Sequence, residues 1–337
     1  MSSSLHLSVS SSLPPHSSPV IHPAILPLMT AQCVLTIGNF DGVHLGHRAI
    51  LARAAEAARL ARVKVTALSF DPHPAAVLRP GQEPPRLTTL AQKTQCLRDA
   101  GADEVVVLEP SPQLLSLSPR EFIEQLVQRH APAAMVEGPD FRFGKGRAGD
   151  VRVLAELGAK LGYETIIVED AEIELSDHTL APLSSSLIRW LLRHGRIADA
   201  ARCLGRPYEL SATVVRGDQR GRTIGVPTAN LDPVELAGRA LPGDGVYAGS
   251  VVLADGTERP AAISVGAKPT FAGRGRVIEA HALDYHGDLY GQVIAVRLTR
   301  WLRDQQSFPG VAELKAQLQR DVAEVRRFRF PSLLGRG

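Results

Sequence analysis

The chain has 337 residues, of which 44% are hydrophobic, and it carries a formal net charge of +3. This length and apolar content suffice for two domains of ordinary size. The small charge argues against a large nucleic-acid-binding surface. The sequence contains no run of about 18 apolar residues, so we expect no membrane span. The three cysteines (Cys33, Cys96 and Cys203) are far apart and suggest neither a disulfide framework nor a zinc ribbon. We therefore expect a reducing, cytoplasmic location.

Residues 1–28 are interpreted as a disordered leader, because residues 1–24 are rich in Ser, Pro and His and lack apolar periodicity. A secretory signal would need a basic start and an uninterrupted apolar core, and neither is present. Met29 lies just before the first predicted strand and is a second candidate for the start of translation.

The strongest functional pattern lies in residues 34–51, which predict a buried strand, a glycine-bearing turn and a helix that opens at His44 or just before it. The first N–H groups of a helix have no intrahelical acceptor, so this arrangement favours phosphate binding. His44 and His47 are three residues apart and share one face of the first helical turn, where both rings could donate to the same oxygens. Gly46 lets a nucleotide approach the backbone closely.

Three interpretations of the histidine pair stay open. A pair of surface histidines at a helix start is the ordinary case. A zinc site is weaker, because no Cys/His pair at metal spacing accompanies them. The string GNFDGVHLGH (38–47) resembles the HxGH signature of the nucleotidyltransferase superfamily, which places the α-phosphate of a nucleoside triphosphate against such histidines.

Helices and strands then alternate as far as residue 162. The pattern predicts helices at 50–62, 90–102, 118–130 and 151–162, and strands at 63–70, 104–110 and 133–138. Strands separated by helices of this length indicate βαβ units on a parallel sheet. The histidine motif would then lie after the first strand, at the carboxyl edge where open α/β sheets bind ligands.

Two later stretches belong to the same half. Residues 139–150 form a loop with basic, aromatic and glycine residues, but its glycine-to-lysine spacing is one residue too long for a P-loop. Residues 183–195 predict a helix with serines at its start and Arg189 within two turns. Taken alone this is a capped helix, but beside the histidine motif it would form a second clamp on a triphosphate.

After a short helix at 197–205 the pattern changes to alternating strands with Gly and Asp turns. Strands are predicted at 209–218, 245–257, 259–267, 277–285 and 291–302, followed by an amphipathic helix at 308–328. This predicts an antiparallel sheet or small barrel with a terminal helix packed on it.

Within that barrel, Thr228 and Asn230 are oxygen-bearing residues two apart in a Pro-Thr-Ala-Asn turn. In an extended turn they point the same way, which suits Mg²⁺ with phosphate oxygens completing its shell. An ordinary loop is the alternative. Glu279 lies in an apolar strand, where it is either a solvated carboxylate or a general base near a bound hydroxyl.

The order of several motifs resembles the prokaryotic bifunctional riboflavin kinase/FAD synthetase family from Val34 to Arg326. These motifs are GNFDGVHLGH, SFDPHP, DFRFG, SSSLIR, LGRPY, RGDQRGRTIGVPTAN, GVYA, VGAKPTF, EAHALDY and GDLYG. The resemblance implies a Rossmann-like nucleotidyltransferase domain at 29–203 and a riboflavin kinase-like antiparallel β-barrel domain with a terminal helix at 204–330. ATP, riboflavin and FMN would be the substrates, Mg²⁺ the metal, and neither a nucleic acid nor a membrane a partner. The oligomeric state, a homo-oligomer included, stays open.

The resemblance also implies roles for individual residues. In the barrel, Thr228 and Asn230 would hold Mg²⁺ and phosphate, and Glu279 would accept the proton of the riboflavin 5′-hydroxyl. In the first domain the triphosphate would contact His44, His47, Ser184, Ser185 and Arg189. Asp140 would lie in the nucleotide or flavin pocket. The turn beneath the nucleotide would be shaped by Gly38, Phe40, Asp41 and Gly42. The remaining binding candidates are Gly46, Gly221, Arg222, Gly225 and Pro227.

Three positions depart from the family pattern: Ser186 replaces a threonine, Ser264 an asparagine and Ala212 a glycine. None of them removes a group assigned to the chemistry. Two other functions stay open at this point. One is a chain that keeps only the kinase activity, and the other is a non-enzymatic flavin- or nucleotide-binding regulator.

Overall fold

The computed structural model describes residues 32–217, 227–267 and 276–328. Its first part is built on five parallel strands, β1 Cys33–Ile37, β2 Lys64–Phe70, β3 Glu104–Leu108, β4 Pro132–Glu137 and β5 Glu164–Ile167. Their order is β3-β2-β1-β4-β5, with β1 paired to a parallel neighbour on each side. The chain thus winds outward from β1 in both directions, and the carboxyl end of β1 lies at the crevice where such sheets bind ligands.

Helices cover both faces of this sheet. They are α1 Leu45–Ala61, α2 Pro74–Leu78, α3 Leu90–Asp99, α4 Pro112–Ser116, α5 Pro119–His130 and α6 Val151–Leu161. On one face Val34 of β1 packs in a cluster with Leu51 of α1 and Leu97 of α3. On the other face the neighbouring Leu35 packs in a cluster with Ile123 of α5. Because consecutive side chains of a strand point to opposite faces, a strand covered on both sides reads as a continuous apolar run.

The helix ends follow from local chemistry. Ser118 accepts a hydrogen bond from the backbone of Glu121, whose carboxylate accepts one from the backbone of Ser118, and Pro119 occupies the first turn of α5. Asp150 caps α6 through the N–H groups of Arg152 and Val153. These bonds satisfy donors that each helix itself leaves without acceptors.

A short antiparallel hairpin and two helices lead to the second half: β6 Glu172–Glu174, β7 Leu180–Pro182, α7 Ser185–Arg193 and α8 Ile197–Leu204. Ile188 of α7 and Cys203 of α8 are fully buried and belong to the same apolar cluster as the barrel residue Leu210. These helices therefore pack into a core shared with the barrel. The domain boundary between residues 203 and 204 stays a prediction.

The second half is a closed antiparallel barrel with the strand order β10-β11-β12-β9-β8-β13. The strands are β8 Tyr208–Val215, β9 Ala229–Leu231, β10 Gly245–Val252, β11 Glu258–Ala267, β12 Arg276–Ala282 and β13 Val293–Arg303. Ile278 and Ala280 belong to the core cluster inside the barrel. Glu279 lies between them and therefore points to the outer face.

The terminal helix α9 (Val311–Arg327) packs on the outside of the barrel. Val325 lies in a small apolar cluster with Ala248 and Leu283. Arg303 of β13 forms a bidentate ion pair with Asp321, in which Nε lies 3.0 Å from Oδ1 and Nη2 lies 2.7 Å from Oδ2. Within the described residues, no helix is both long and apolar enough to cross a bilayer.

The loop that precedes α3 pairs with the barrel segment that follows β9. The N–H of Arg86 donates to Gly238 O at 2.8 Å, and the N–H of Ala240 donates to Arg86 O at 2.9 Å. The buried Arg239 guanidinium donates to Leu87 O at 3.1 Å. The two halves of the chain are thus joined by backbone pairing as well as by apolar contact.

The predicted fold class is confirmed, and each predicted helix and strand has a counterpart among the described residues. Helices α2 and α4, strand β5 and the β6–β7 hairpin were not predicted. The expectation of a turn at Pro-Thr-Ala-Asn was wrong in part, because Ala229 and Asn230 begin strand β9, which pairs with β8 and β12.

Candidate active sites

The turn between β1 and α1 has an unusual backbone. Phe40, Gly42 and Val43 have φ values of 47°, 84° and 40°, all in the left-handed region. Glycine adopts this region readily, whereas a bulky or β-branched residue there costs on the order of 1–3 kcal/mol. Contacts from the rest of the chain must therefore hold Phe40 and Val43 in place.

Asp41 provides many of these contacts. Its carboxylate accepts hydrogen bonds from Leu87 N at 2.9 Å and from Thr88 N at 3.1 Å. It also pairs with the guanidinium of Arg189, whose Nε donates to Pro85 O at 2.6 Å. The Asp41 and Arg189 side chains are only 13% and 16% exposed, so this ion pair is largely withdrawn from water. Asp41 thus ties the turn to the residue 85–88 loop and to α7.

His44 caps α1 and stacks on His47, with 3.7 Å between the ring centroids. Its Nδ1 accepts a long hydrogen bond from the N–H of His47 at 3.4 Å. The Phe40 ring meets His47 edge-on at 5.2 Å. Since Nδ1 of His44 is the acceptor, a neutral His44 carries its hydrogen on Nε2, from which it can donate to a ligand.

Burial keeps both imidazoles neutral at pH 7. It lowers the pKa of His44 to about 4, with Asp41 opposing this shift and Arg206 and Arg189 adding to it. Burial and the neighbouring His44 lower the pKa of His47 well below its usual value. The pair therefore offers N–H dipoles rather than positive charges at this position.

The structure gives a reason for glycine at position 46 other than the expected close approach of a nucleotide. A Cβ at this position would lie 3.2 Å from Cε1 and Nδ1 of His44, so the glycine makes room for the imidazole. Gly38 similarly faces the Phe40 ring, at 3.1 Å from a Cβ placed there. A role for either glycine in nucleotide binding stays a prediction.

The amino terminus of α7 lies against the same turn. Ser184 caps the helix by accepting from Leu187 N at 3.2 Å, as the sequence predicted. The Ser185 hydroxyl donates to the carbonyl of Asp41 at 2.8 Å, so it is occupied by the protein rather than open to an anion. Ser186 is exposed. The structure thus brings Ser185 and Arg189 to the histidine-bearing turn, but both side chains bond to the protein itself there. Their expected contacts with a triphosphate stay predictions.

Asp140 is exposed, three residues after the end of β4. The last residue of β4, Glu137, is buried and its Oε1 accepts from Ile37 N at 2.7 Å. Burial raises the pKa of Glu137 well above its ordinary value. Sequence patterns did not single out Glu137, which pairs the end of β4 with the end of β1.

Lys93 was missed as well. This buried lysine of α3 donates from Nζ to Phe70 O at 2.7 Å and to Asn39 O at 3.4 Å. It therefore joins the ends of β1 and β2 beside the turn. The available signal was its spacing of four residues from the buried Leu97, which places a lysine on the apolar face of the helix.

The second candidate site is a row of polar residues on the outer face of the barrel. Ser264 of β11, Glu279 of β12 and Asn230 of β9 are directly opposite one another in adjacent strands. Asn230 is only 5% exposed, and its Oδ1 has no hydrogen-bond partner among the described residues. A Cβ at Gly217 would lie 2.6 Å from the Asn230 side chain, so only glycine permits this close approach.

Two neighbouring cavities flank this row. Pro227, Thr228 and Asn230 line a cavity of about 390 Å³ whose lining also includes residues 285–290. Glu279 and Ser264 line a second cavity of about 310 Å³. Thr228 and Asn230 are thus together, and Glu279 is beside Asn230 but opens to the adjacent cavity. Gly221, Arg222 and Gly225 lie outside the described residues.

His281 was not predicted to contribute to the barrel site. Its Nδ1 lies 2.7 Å from Pro227 O, so a hydrogen on Nδ1 fixes the backbone next to Thr228. His281 and Glu279 alternate with core residues along β12, and this spacing was the only signal in the sequence. Ala212 is buried in the barrel core, which agrees with an effect on packing alone. The Ser264 hydroxyl accepts from Gln305 Nε2 at 2.9 Å.

Comparisons with known proteins agree on both halves. Residues 27–179 match the family model described as FAD synthetase, and residues 204–329 match the model described as riboflavin kinase. The chain is 38% identical over 301 residues to the bifunctional riboflavin kinase/FMN adenylyltransferase of Escherichia coli K12, covering 88% of this chain and 92% of that protein. It is 36% identical over 302 residues to the enzyme of the same description from Pseudomonas fluorescens, covering 89% and 94%.

A solved structure described as a macrolide-efflux protein from Streptococcus pneumoniae has the same fold, with a TM-score of 0.80 and 30% identity. The match covers 89% of this chain and 95% of that one. Both halves of the fold are therefore found together, in this order, in another chain.

Proposed function

The chain belongs to the bifunctional riboflavin kinase/FMN adenylyltransferase family, and we propose that its two reactions take place at the two sites described above. The barrel transfers the γ-phosphoryl group of ATP to riboflavin and forms FMN. The parallel-sheet domain then joins FMN to the adenylyl group of a second ATP and forms FAD and pyrophosphate. The observation that carries this assignment is the neutral, stacked His44–His47 pair at the end of β1.

In the adenylylation reaction a phosphate oxygen of FMN attacks the α-phosphorus of ATP, and the bond from this phosphorus to the bridging oxygen of pyrophosphate breaks. The Nε2–H of His44 would donate to the α-phosphate oxygens, together with the ring of His47 and the first backbone N–H groups of α1. Such donors stabilise the charge that builds up on these oxygens in the transition state. The Asp41–Arg189 pair supports them by holding the turn and α7 together.

In the kinase reaction the 5′-hydroxyl of riboflavin attacks the γ-phosphorus of ATP, and ADP leaves. Glu279 is proposed to accept the hydroxyl proton as this bond forms. Glu279 is directly opposite Asn230 in the neighbouring strand, which places the proposed general base beside the proposed phosphate-binding residue.

The donor set of the barrel fits Mg²⁺. The buried Oδ1 of Asn230 has no hydrogen-bond partner among the described residues, and Thr228 brings a second neutral oxygen into the same cavity. Oxygen ligands supplemented by phosphate oxygens are what Mg²⁺ prefers. The ion would neutralise charge on the phosphates of ATP. The roles of Thr228 and Asn230 as its ligands, the cytoplasmic location and the oligomeric state stay predictions.

Incubation of the pure protein with riboflavin, ATP and Mg²⁺, followed by chromatography of the flavins, tests the proposal. FMN should form first and FAD should follow at its expense. FMN without FAD would mean that the chain keeps the kinase activity alone. Neither product would identify the chain as a non-enzymatic flavin- or nucleotide-binding protein.

A further inference from the structure

We propose that Arg206, a residue from the kinase half of the chain, is a positioning residue for the adenylylation site, where it holds the turn that carries His44. Arg206 follows α8 and lies within residues 204–329, which match the riboflavin kinase model. The inference rests on the proposed adenylylation at His44 and His47. It adds a supporting residue that the other half of the molecule supplies.

The contacts are made to the strained part of the turn. Nη2 of Arg206 donates to Gly42 O at 2.7 Å, and Nη1 donates to Val43 O at 3.3 Å. These two carbonyls belong to the residues immediately before the helix cap His44, and both residues have left-handed backbones. A β-branched residue keeps such a conformation only when its surroundings impose it. Arg206 is the side chain that binds both carbonyls.

The guanidinium is itself firmly placed. Nη1 also donates to Leu204 O at 3.3 Å, and the backbone N–H of Arg206 donates to Ala201 O at 3.2 Å. The two preceding residues pack on the same turn. A Cβ at Gly42 would lie 3.3 Å from Leu204, and a Cβ at Gly205 would lie 2.7 Å from Leu45. The segment 204–206 therefore covers the turn from Gly42 to Leu45 as one surface.

Arg206 also acts on the His44 ring through its charge. The charged or titratable groups that face this ring are Asp41 of the turn, Arg189 of α7, Arg206 and the neighbouring His47. Arg206 and Arg189 favour the neutral imidazole, whereas Asp41 favours the charged one. Loss of the Arg206 charge should therefore raise the pKa of His44.

The test uses the full chain and the variants R206M, R206K and R202M. Arg202 is an exposed residue of α8 one turn earlier, and R202M serves as the matched control. In R206M we expect kcat/KM for FAD formation to fall about 100-fold, the size of effect that a misplaced catalytic group produces. The fall should be mainly in kcat. R206K should recover part of it, and R202M should match wild type.

Two further readouts separate positioning from general damage. Riboflavin phosphorylation should stay within twofold of wild type in each variant, because Arg206 is not part of the proposed kinase site. The acid limb of the pH profile for FAD formation should move to higher pH in R206M but not in R206K, which keeps the charge.

Wild-type rates of FAD formation in R206M, or an equal fall in riboflavin phosphorylation in folded R206M protein, would overturn the proposal. If R206M lost both activities through misfolding, R206K would decide, and a wild-type kcat for FAD formation in that variant would count against positioning. Failure of the wild-type protein to make FAD would instead remove the proposed function and this inference with it.

Discussion

The Asp41–Arg189 pair allows a quantitative test of how the adenylylation site is held. Asp41→Asn keeps the size of the side chain but removes its charge, and it places an N–H₂ group among the donors Leu87 N and Thr88 N. It also leaves the guanidinium of Arg189, only 16% exposed, without its carboxylate. Breaking a buried ion pair in this way costs about 3–5 kcal/mol.

Because both side chains retain some contact with water, we expect the lower end of that range. The free energy of unfolding should fall by about 3 kcal/mol, which is roughly a hundredfold in the unfolding equilibrium. Urea unfolding followed by circular dichroism measures this change. FAD formation should fall by at least about 100-fold, because the turn that carries His44 loses its anchor.

Asp99→Asn is the matched control, since Asp99 is exposed at the end of α3 and accepts only from Gln95 within its own helix among the described residues. Its unfolding free energy should stay within about 0.5 kcal/mol of wild type. A change below about 1 kcal/mol in Asp41→Asn, with FAD formation within threefold of wild type, would refute the view that Asp41 organises this site.

Four further outcomes follow from the two-site assignment. His47→Ala should stop FAD formation but leave riboflavin phosphorylation nearly intact, as seen by chromatography of the flavins. Glu279→Gln should block FMN formation, while FMN supplied from outside is still converted to FAD. Asn230→Ala should raise the Mg²⁺ concentration for half-maximal kinase activity at least about tenfold, because a cation ligand worth about 1.4 kcal/mol or more is lost. Burial lowers the pKa of His44 from 6.5 to about 4, so the unfolded chain binds more protons in this range. About 3 kcal/mol of unfolding free energy that is present above pH 6.5 should be lost as the pH falls to about 4 and below. The melting temperature of His44→Asn should therefore depend less steeply on pH over that range than that of the wild-type protein.

The controls for these variants lie within the same protein. Each substitution at one site leaves the other reaction as a measure of folding. Loss of both activities in folded His47→Ala or Glu279→Gln protein would mean that the two sites are not separate. An unchanged Mg²⁺ requirement in Asn230→Ala would remove this residue from the metal site. An equally steep acid dependence in His44→Asn would assign the loss of stability to other groups.

Much of the fold could be predicted because periodicity is a local property. The β-branched run at Val34 and the apolar face of α5 are visible in a few consecutive residues. Strand β5 and the β6–β7 hairpin were missed because they have only three or four residues, too few for a period to emerge. The Pro-Thr-Ala-Asn segment looked like a turn, since its pairing with β8 and β12 depends on strands far away in the chain.

The candidate sites were predictable where one short motif contains the chemistry, as at His44 and His47. What holds those residues was not predictable. Asp41 bonds to residues 46 to 148 positions away, and its acidic side chain alone does not distinguish a ligand contact from an anchor. The left-handed backbone at Val43 contradicts the preference of valine, and only tertiary contacts explain it.

The pairing between Arg86 and the segment 238–240 has a practical consequence for anyone who splits this polypeptide into its two catalytic parts. Separation would expose the N–H and C=O groups that now pair at 2.8 and 2.9 Å, and it would release the Arg239 guanidinium from the Leu87 carbonyl into solvent. The exposed groups of one part would be the hydrogen-bond partners of those on the other part. Coexpressed, the two parts should therefore reassemble into one particle.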